Sequence, residues 1–452
     1  MAAMSSGRKD KPLKWLKGGT DSMRKHRFES FNQRVAKLKI DPLRRSRDFE
    51  VDVNDTTSFL QTGLAKWKET NLSETFTNFV RDLTPLCDTL AHILYHHENI
   101  MSLLVTYIAK KDALSLEPLL DMLGRFAHDL GIKFEPHFGT AVTLVASLAT
   151  SHNDIEVVEW SFTCLAWLFK YLSRLLVPDL RPLFHIMAPL LGKVPQKFHT
   201  TRFAAESMSF LLKKAAVVYH KNQLPLTKII DCILQDLESI DEDQTILSLY
   251  NHGLMTLLLE SIKGIDRRLH SRGDSVFQCL MERYLHRDAS SAKTEQLIVG
   301  LSVGLIHHTQ ATTFRPLLDV VFRSIQMQGN QPTSRSVIIH SKLLFVAAGV
   351  REGSRVQDWS GMLDALSMLL SHCAWSNDVE ICQILETAAL LLQSASLDVV
   401  ILRLRSIMDI ISHEKNTNFF MLFCDLFCDI GRERFHDLLY PYFSRYLVCD
   451  LG

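Results

Sequence analysis

The sequence predicts an all-α chain, a HEAT/armadillo-like α-solenoid of about eight to nine helical pairs. Three observations predict it. Apolar residues recur at helical spacing almost throughout, and period-2 alternation bounded by hairpin turns is nearly absent. Glycine and proline are sparse, 19 and 13 in 452 residues. Segments of similar character return every 38 to 47 residues with a second helical segment between them, which is the HEAT/armadillo period. Such a pair cannot bury its apolar stripe alone, so stacked neighbours must share one continuous core.

The elements follow in order. Residues 1–50 form a polar, basic head with fourteen Lys/Arg against six Asp/Glu; it carries about +8, and the rest of this formally neutral chain about −8. The head reads as largely disordered on its own, with a short amphipathic helix available from Phe28 to Ile40. Residues 51–452 read as the solenoid. "VDVNDTT" (51–57) reads as a linker in which Asn54 or Asp55 caps a helix over Thr57–Thr70; a helix over Glu74–Tyr95, broken near Pro85, follows.

First helices are expected at His97–Lys110, Pro136–Thr150, Pro178–Lys193, Leu224–Ser239, Ser271–His286, Thr312–Met327, Val356–Ser371, Leu397–Ser412 and Phe435–Asp450. Second helices are expected at Leu114–Leu130, Asp154–Leu176, His199–Val218, Asp243–Lys263, Ala292–His308, Ser334–Val350, Asn377–Gln393 and Thr417–Ile430. Asp154 reads as an N-cap, and Val157, Val158, Trp160, Phe162, Leu165, Leu168, Phe169 and Leu172 as the apolar positions behind it. The second helices are apolar on more than one face (Leu297, Ile298, Leu301, Val303, Leu305, Ile306), as an inner row would be. In "TRFAAESMSFLLKKA" (201–215), Phe203, Phe210 and Leu211 share a mostly buried face, while Arg202 and Glu206 read as an (i, i+4) pair in the less favourable order, contributing at most a few tenths of a kcal/mol. The chain ends in repeat-like pattern without a polar capping repeat, which reads either as a piece of a longer protein or as an end that docks on something else.

Zero formal net charge argues against a surface that is wholly a nucleic-acid footprint. The first thirty residues hold no apolar signal core, and the runs at 136–153 and 296–314 reach spanning length only by counting polar residues. Nine scattered cysteines fit a reducing compartment, with Cys424 and Cys428 lacking a second pair at zinc spacing.

No motif carries defensible chemistry. "GLSVG" (300–304) puts Ser302 in a nucleophile slot, but a helical pattern precedes it where the motif needs a strand and a strained turn. In "RGDS" (272–275), Asp274 or Ser271 reads as a helix cap, and the sequons at Asn54 and Asn71 are set aside for want of a secretory signal. His96-His97 and His307-His308 read as solvated helix ends, since adjacent helical residues point about 100° apart and cannot easily share a metal. "LLGKVP" (190–195) lacks the upstream glycine of a phosphate loop. No catalytic residue, cofactor, metal, membrane or small-molecule substrate is expected. The basic head is the strongest remaining feature: Lys14, Lys17, Arg24, Lys25, Arg27, Arg44, Arg45 and Arg47, with Lys37 and Lys39, are the candidate contacts to RNA or another anionic partner. A nuclear-import tract or a solvated tail fits the same charges.

Five stretches resemble, in order and with similar gaps, the N-terminal part of the DRIM (down-regulated in metastasis) family, a giant HEAT-repeat subunit of the small-subunit processome. They are "HRFESFNQRVAKLKID" (26–41), "GLAKWKETNLSETFTNFVRDL" (63–83), "EPLLDMLGRFAHDLGIKFEPHF" (117–138), "VEWSFTCLAWLFKYLSRLLVPDL" (158–180) and "RFAAESMSFLLKKA" (202–215). The resemblance implies a nucleolar, non-enzymatic scaffold that contacts pre-rRNA or small nucleolar RNA and assembly proteins and supports maturation of small-subunit rRNA. It transfers no catalytic residue. The period alone also fits another HEAT-type adaptor, such as a transport receptor or kinase-complex scaffold.

Overall fold

A computed structural model describes residues 26–43, 58–193, 197–219, 224–239, 245–265, 272–281, 292–308, 311–327, 334–349, 358–372 and 378–413. Among them the regular elements are all helical. In chain order these are α1 (Phe31–Lys37), α2 (Phe59–Thr70), α3 (Glu74–Leu83), α4 (Leu90–Tyr95), α5 (His97–Ala109), α6 (Ala113–Leu130), α7 (Glu135–Ser151), α8 (Ile155–Leu176), α9 (Arg181–Met187) and α10 (Phe198–Val218). They continue with α11 (Leu224–Ser239), α12 (Thr245–Ile265), α13 (Gly273–Leu280), α14 (Ala292–His308), α15 (Ala311–Met327), α16 (Ser334–Gly349), α17 (Trp359–His372), α18 (Asp378–Ser394) and α19 (Leu397–His413). The helices expected at Phe435–Asp450 and Thr417–Ile430 lie outside the described residues.

The chain divides into two compact units. Among the described residues, the first takes those up to 233 with 239 and 245–260, and the second takes 234–238 and those from 261. In the first unit α3, α5, α7 and α9 pack in one row and α2, α6, α8 and α10 in another, each helix touching the next of its own row. The second unit repeats the scheme, with α13, α15, α17 and α19 in one row and α14, α16 and α18 in the other. This is two-layer stacking of helical pairs, with the core between rows. Ala388, Leu391 and Leu392 of α18 are fully buried, and in the same helix Thr387 donates to Ser341 O of α16 (3.2 Å), so this buried hydroxyl is satisfied across the stack.

Local chemistry sets the helix ends. Asp154 accepts from Glu156 N–H (3.0 Å), the cap expected for α8. The cap of α2 falls elsewhere than expected. Ser58 is its N-cap, and Asp129 from α6 accepts from Ser58 Oγ (2.6 Å), Phe59 N–H (2.9 Å) and Leu60 N–H (2.8 Å). A carboxylate from another helix thus satisfies the free N–H groups of this terminus and sits at its positive end; Asn54 and Asp55 lie outside the described residues. For α13 the N-cap is Arg272 without a side-chain bond, and Asp274 lies inside the first turn, so the capping role expected of Asp274 is corrected.

The helix expected over Pro178–Lys193 is also corrected: it starts at Arg181, ends at Met187, and gives way to a turn over Pro189–Lys193. Gly192 in that turn has φ of 112°, where a side chain is strained, and a Cβ there would lie 2.8 Å from Leu249 C and O of α12. Opposite, a Cβ on Gly253 of α12 would lie 1.9 Å from Leu191 O. Two glycines, Gly192 of "LLGKVP" and Gly253, therefore let backbone meet backbone.

Within the basic head, the short helix expected between Phe28 and Ile40 forms as α1, and it docks on α8 and α10. A seven-residue helix is too short to stand alone. Its capping box, Ser30 with Gln33, closes one end, and its apolar side is buried against the second row.

Gly253→Ala is expected to cost about 1–3 kcal/mol by overpacking. Gly139→Ala, in mid α7 where the nearest atom to a new Cβ is Ile186 Cδ1 at 3.6 Å, is expected to gain up to about 1 kcal/mol. Urea unfolding followed by circular dichroism measures both; equal effects would contradict this packing.

Candidate functional site

Two features share the face of the second row in the first unit: the docked segment 26–43, here the strap, and a cleft beside it. The strap is held by an aromatic anchor and by groups that satisfy its backbone. Phe31 is fully buried, with ring centroids 5.4 Å from Phe210, 5.5 Å from Phe203 and 6.1 Å from Phe169. Burying such a side chain contributes about 1.5–3 kcal/mol. Its N–H donates to Glu206 Oε2 (2.8 Å), while Arg202 Nε donates to Glu206 Oε1 (2.8 Å). Glu206 is only 6% exposed. The Arg202–Glu206 pair therefore does more than the small helix pair that its spacing suggested, because the carboxylate also ties down the strap.

Arg34, 5% exposed, donates to Thr163 Oγ1 (2.8 Å) and Glu159 O (3.1 Å), forms an ion pair with the Glu159 carboxylate, and lies 5.7 Å from the Phe162 ring centroid. Lys170 Nζ donates to the carbonyls of Val35 (2.9 Å) and Leu38 (2.7 Å). Leu43 N–H donates to Tyr171 O (2.8 Å). Phe28 stacks on His199 at 4.2 Å. Burial drives the His199 pKa down to about 4, with Lys197 and His26 adding to the effect, and its Nε2 is buried without a hydrogen-bond partner.

The cleft, about 540 Å³, lies between α2, α6 and α8, with Lys39 and Ile40 of the strap at its edge. Trp160, Thr163 and Trp167 of α8 recur at three- and four-residue steps and so share a face. Glu117, Asp121, Gly124 and His128 do the same on α6, and α2 supplies Phe59, Lys66 and Trp67. The Trp167 ring lies beside Gly124 of α6, where an added Cβ would sit 3.5 Å from the ring in ordinary van der Waals contact. Gly63 leaves room for Arg125. Asp121 Oδ2 accepts from Trp67 Nε1 (2.6 Å) and Arg125 Nε (2.8 Å). Lys66 Nζ lies 4.7 Å from the Trp67 ring centroid. Burial pushes the Glu117 carboxyl above the usual range, opposed by Lys66. Burial likewise pushes the Cys164 thiol up to about 12, so it sits in the wall as a neutral hydrophobe.

Of the candidate contacts read from the sequence, Arg27, Lys37 and Lys39 lie within the described residues, all exposed on the strap, with Lys37 in an ion pair with Glu29; Lys14, Lys17, Arg24, Lys25, Arg44, Arg45 and Arg47 lie outside them. Sequence reasoning placed Trp160 among core positions, yet it is half-buried and lines the cleft. The Trp160/Trp167 spacing was the available signal, because an indole two turns from another on a helix marks one face. Ser302 is fully buried within α14, with no hydrogen-bond partner for Oγ. His97 departs from the solvated end expected of it: its Nδ1 lies 2.9 Å from His137 Nε2. Among the described residues no group of three His, Cys, Asp or Glu is placed to hold a metal ion, and no helix is long and apolar enough to cross a membrane.

Fold and site together define a repeat protein of stacked helical pairs whose second row presents a peptide-bound strap and an aromatic cleft. Over 351 residues, 77% of this chain, it is 32% identical to the U3 small nucleolar RNA-associated protein 20 of Schizosaccharomyces pombe. Over 356 residues, 78% of the chain, it is 30% identical to the protein of that name from Saccharomyces cerevisiae. The chain belongs to this family. It matches 13% and 14% of the length of those two proteins. No family model matches the chain.

Phe31→Ala is expected to lower the stability of the first unit by about 3 kcal/mol and to open the strap to proteases; trypsin digestion that leaves residues 26–43 as resistant as before would contradict the anchoring. Because the folded His199 pKa lies below the unfolded value of 6.5, the unfolded chain binds more protons between these pKa values. The stability it contributes is complete above pH 6.5 and is lost as pH falls to about 4. His199→Phe, which keeps the stack on Phe28, is expected to flatten the fall in melting temperature between pH 7 and about 5.

Proposed function

We propose that this chain is part of a non-enzymatic scaffold of the small-subunit processome, which works with U3 small nucleolar RNA and supports maturation of small-subunit rRNA in the nucleolus. The observation that carries this reading is 30–32% identity to two U3 small nucleolar RNA-associated proteins over 77–78% of the chain. Its physical support is the architecture. Stacked pairs give long, nearly rigid surfaces suited to holding several partners at once. The basic charge concentrated in residues 1–50 suits an anionic partner. Ser302, the one residue in a nucleophile motif, is sealed inside α14, away from any substrate.

The test is affinity purification of the tagged native protein, with sequencing of crosslinked RNA and mass spectrometry of bound proteins. The expected result is enrichment of small-subunit pre-rRNA, U3 small nucleolar RNA and processome proteins. Recovery of none of these, with transport receptors or kinase subunits in their place, would sink the reading in favour of a generic HEAT adaptor.

A further inference from the structure

We propose that the cleft between α2, α6 and α8 is a stacking site for an unpaired RNA base, with Lys39 and Lys66 placed for the flanking phosphates. The proposal rests on the processome reading above and names how one part of this chain would grip RNA.

Three features carry it. First, shape: the cleft has the size of a ligand pocket and offers three indoles, from Trp67, Trp160 and Trp167. Indole faces accept any base, because every base has a π-face. Second, rigidity: Trp67 is held by its N–H bond to Asp121, and Trp167 lies 5.0 Å from the Tyr171 ring and over Gly124. These walls are already in place for a planar guest.

Third, charge chooses the occupant. The lining holds Lys39, Lys66 and Arg125 against Glu117 and Asp121, and Asp121 is engaged by Arg125 and the Trp67 N–H. Glu156, whose field reaches Glu117, is not part of the lining. What remains at the mouth is two exposed lysines facing one carboxylate. A cationic peptide side chain would enter against this excess, whereas a nucleotide brings the complementary sign. Glu117 remains as an acceptor for the amino edge of a purine, the pairing that carboxylates make with base amino groups.

The test uses the full chain and a fluorescein-labelled single-stranded pentaribonucleotide of adenosine and guanosine. Two comparisons accompany it: the same strand with abasic central positions, and an arginine-rich peptide. Anisotropy is expected to show tighter binding of the base-bearing strand than of the abasic one, with quenching of tryptophan fluorescence. Trp160→Ala is expected to weaken binding about tenfold, with Trp160→Phe retaining most of it. Lys66→Glu, at an exposed position, is expected to weaken binding and reduce the salt slope by about one. Circular dichroism checks each fold; should Trp160→Ala not fold, the Lys66→Glu variant and the abasic strand decide.

Equal affinity for abasic and base-bearing strands overturns the stacking site, as does unchanged binding by folded Trp160→Ala. Preference for the arginine-rich peptide makes the cleft a protein-docking site and equally overturns the proposal. If the strand does not bind while processome proteins still co-purify, this inference falls alone; if neither is seen, the functional reading falls with it.

Discussion

A single helical pair of this chain leaves an apolar stripe facing water, and only another pair can cover it. That constraint organises everything else. It sets the contacts between each helix and the next of its own row. It puts the core between two rows, so each end of a row needs a cover. In the first unit the same constraint acts on the outer side of the second row. Phe162, Phe169 and Phe203 would stand against water without the strap, and Phe28 and Phe31 fill the space they form.

The strap also shows how buried polar groups become tolerable in such a stack. Arg34, Glu159, Lys170 and Glu206 are charged groups on a largely apolar contact. Each finds a carbonyl, an N–H, a hydroxyl or an opposite charge, which offsets the cost of leaving water. Asp129 at the N-terminus of α2 uses the same device. Carboxylates projecting from the second row thus serve as receptors for the backbone of incoming segments. The cleft beside the strap, by contrast, keeps part of its polar lining, Lys39, Lys66 and Glu117, turned to the open side.

Much of the fold was legible because helices announce themselves locally. The spacing that placed Ala292–His308 matches α14 at both ends, and Leu224–Ser239 matches α11. Caps and periodicity depend on neighbours within a turn or two, which a sequence displays directly. The misreadings share a different cause. Gly192 breaks a pattern that periodicity alone would continue, because its positive φ and the close backbone of Leu249 are tertiary facts. Arg202 and Glu206 look like any (i, i+4) pair until a segment 175 residues away is brought to them. The cleft was invisible for the same reason: its walls come from three helices, and Trp160 was indistinguishable from a core residue until its neighbours were in place. The family resemblance reached further than these local rules because whole strings, not single side chains, carried it.

The strap carries a consequence for biosynthesis. It is made early and its receptor late: 175 residues separate Phe31 from Glu206. At about 5–20 residues per second, translation needs on the order of ten to thirty-five seconds to bridge that distance. Throughout that interval Phe28, Phe31 and Arg34 have emerged while the phenylalanine pocket of α8 and α10 has not been completed. In a fold made mostly of neighbour contacts, which form quickly, this long-range closure has to wait until α10 has been made. The beginning of the chain is therefore the part that waits, and what it touches while waiting is decided outside the fold.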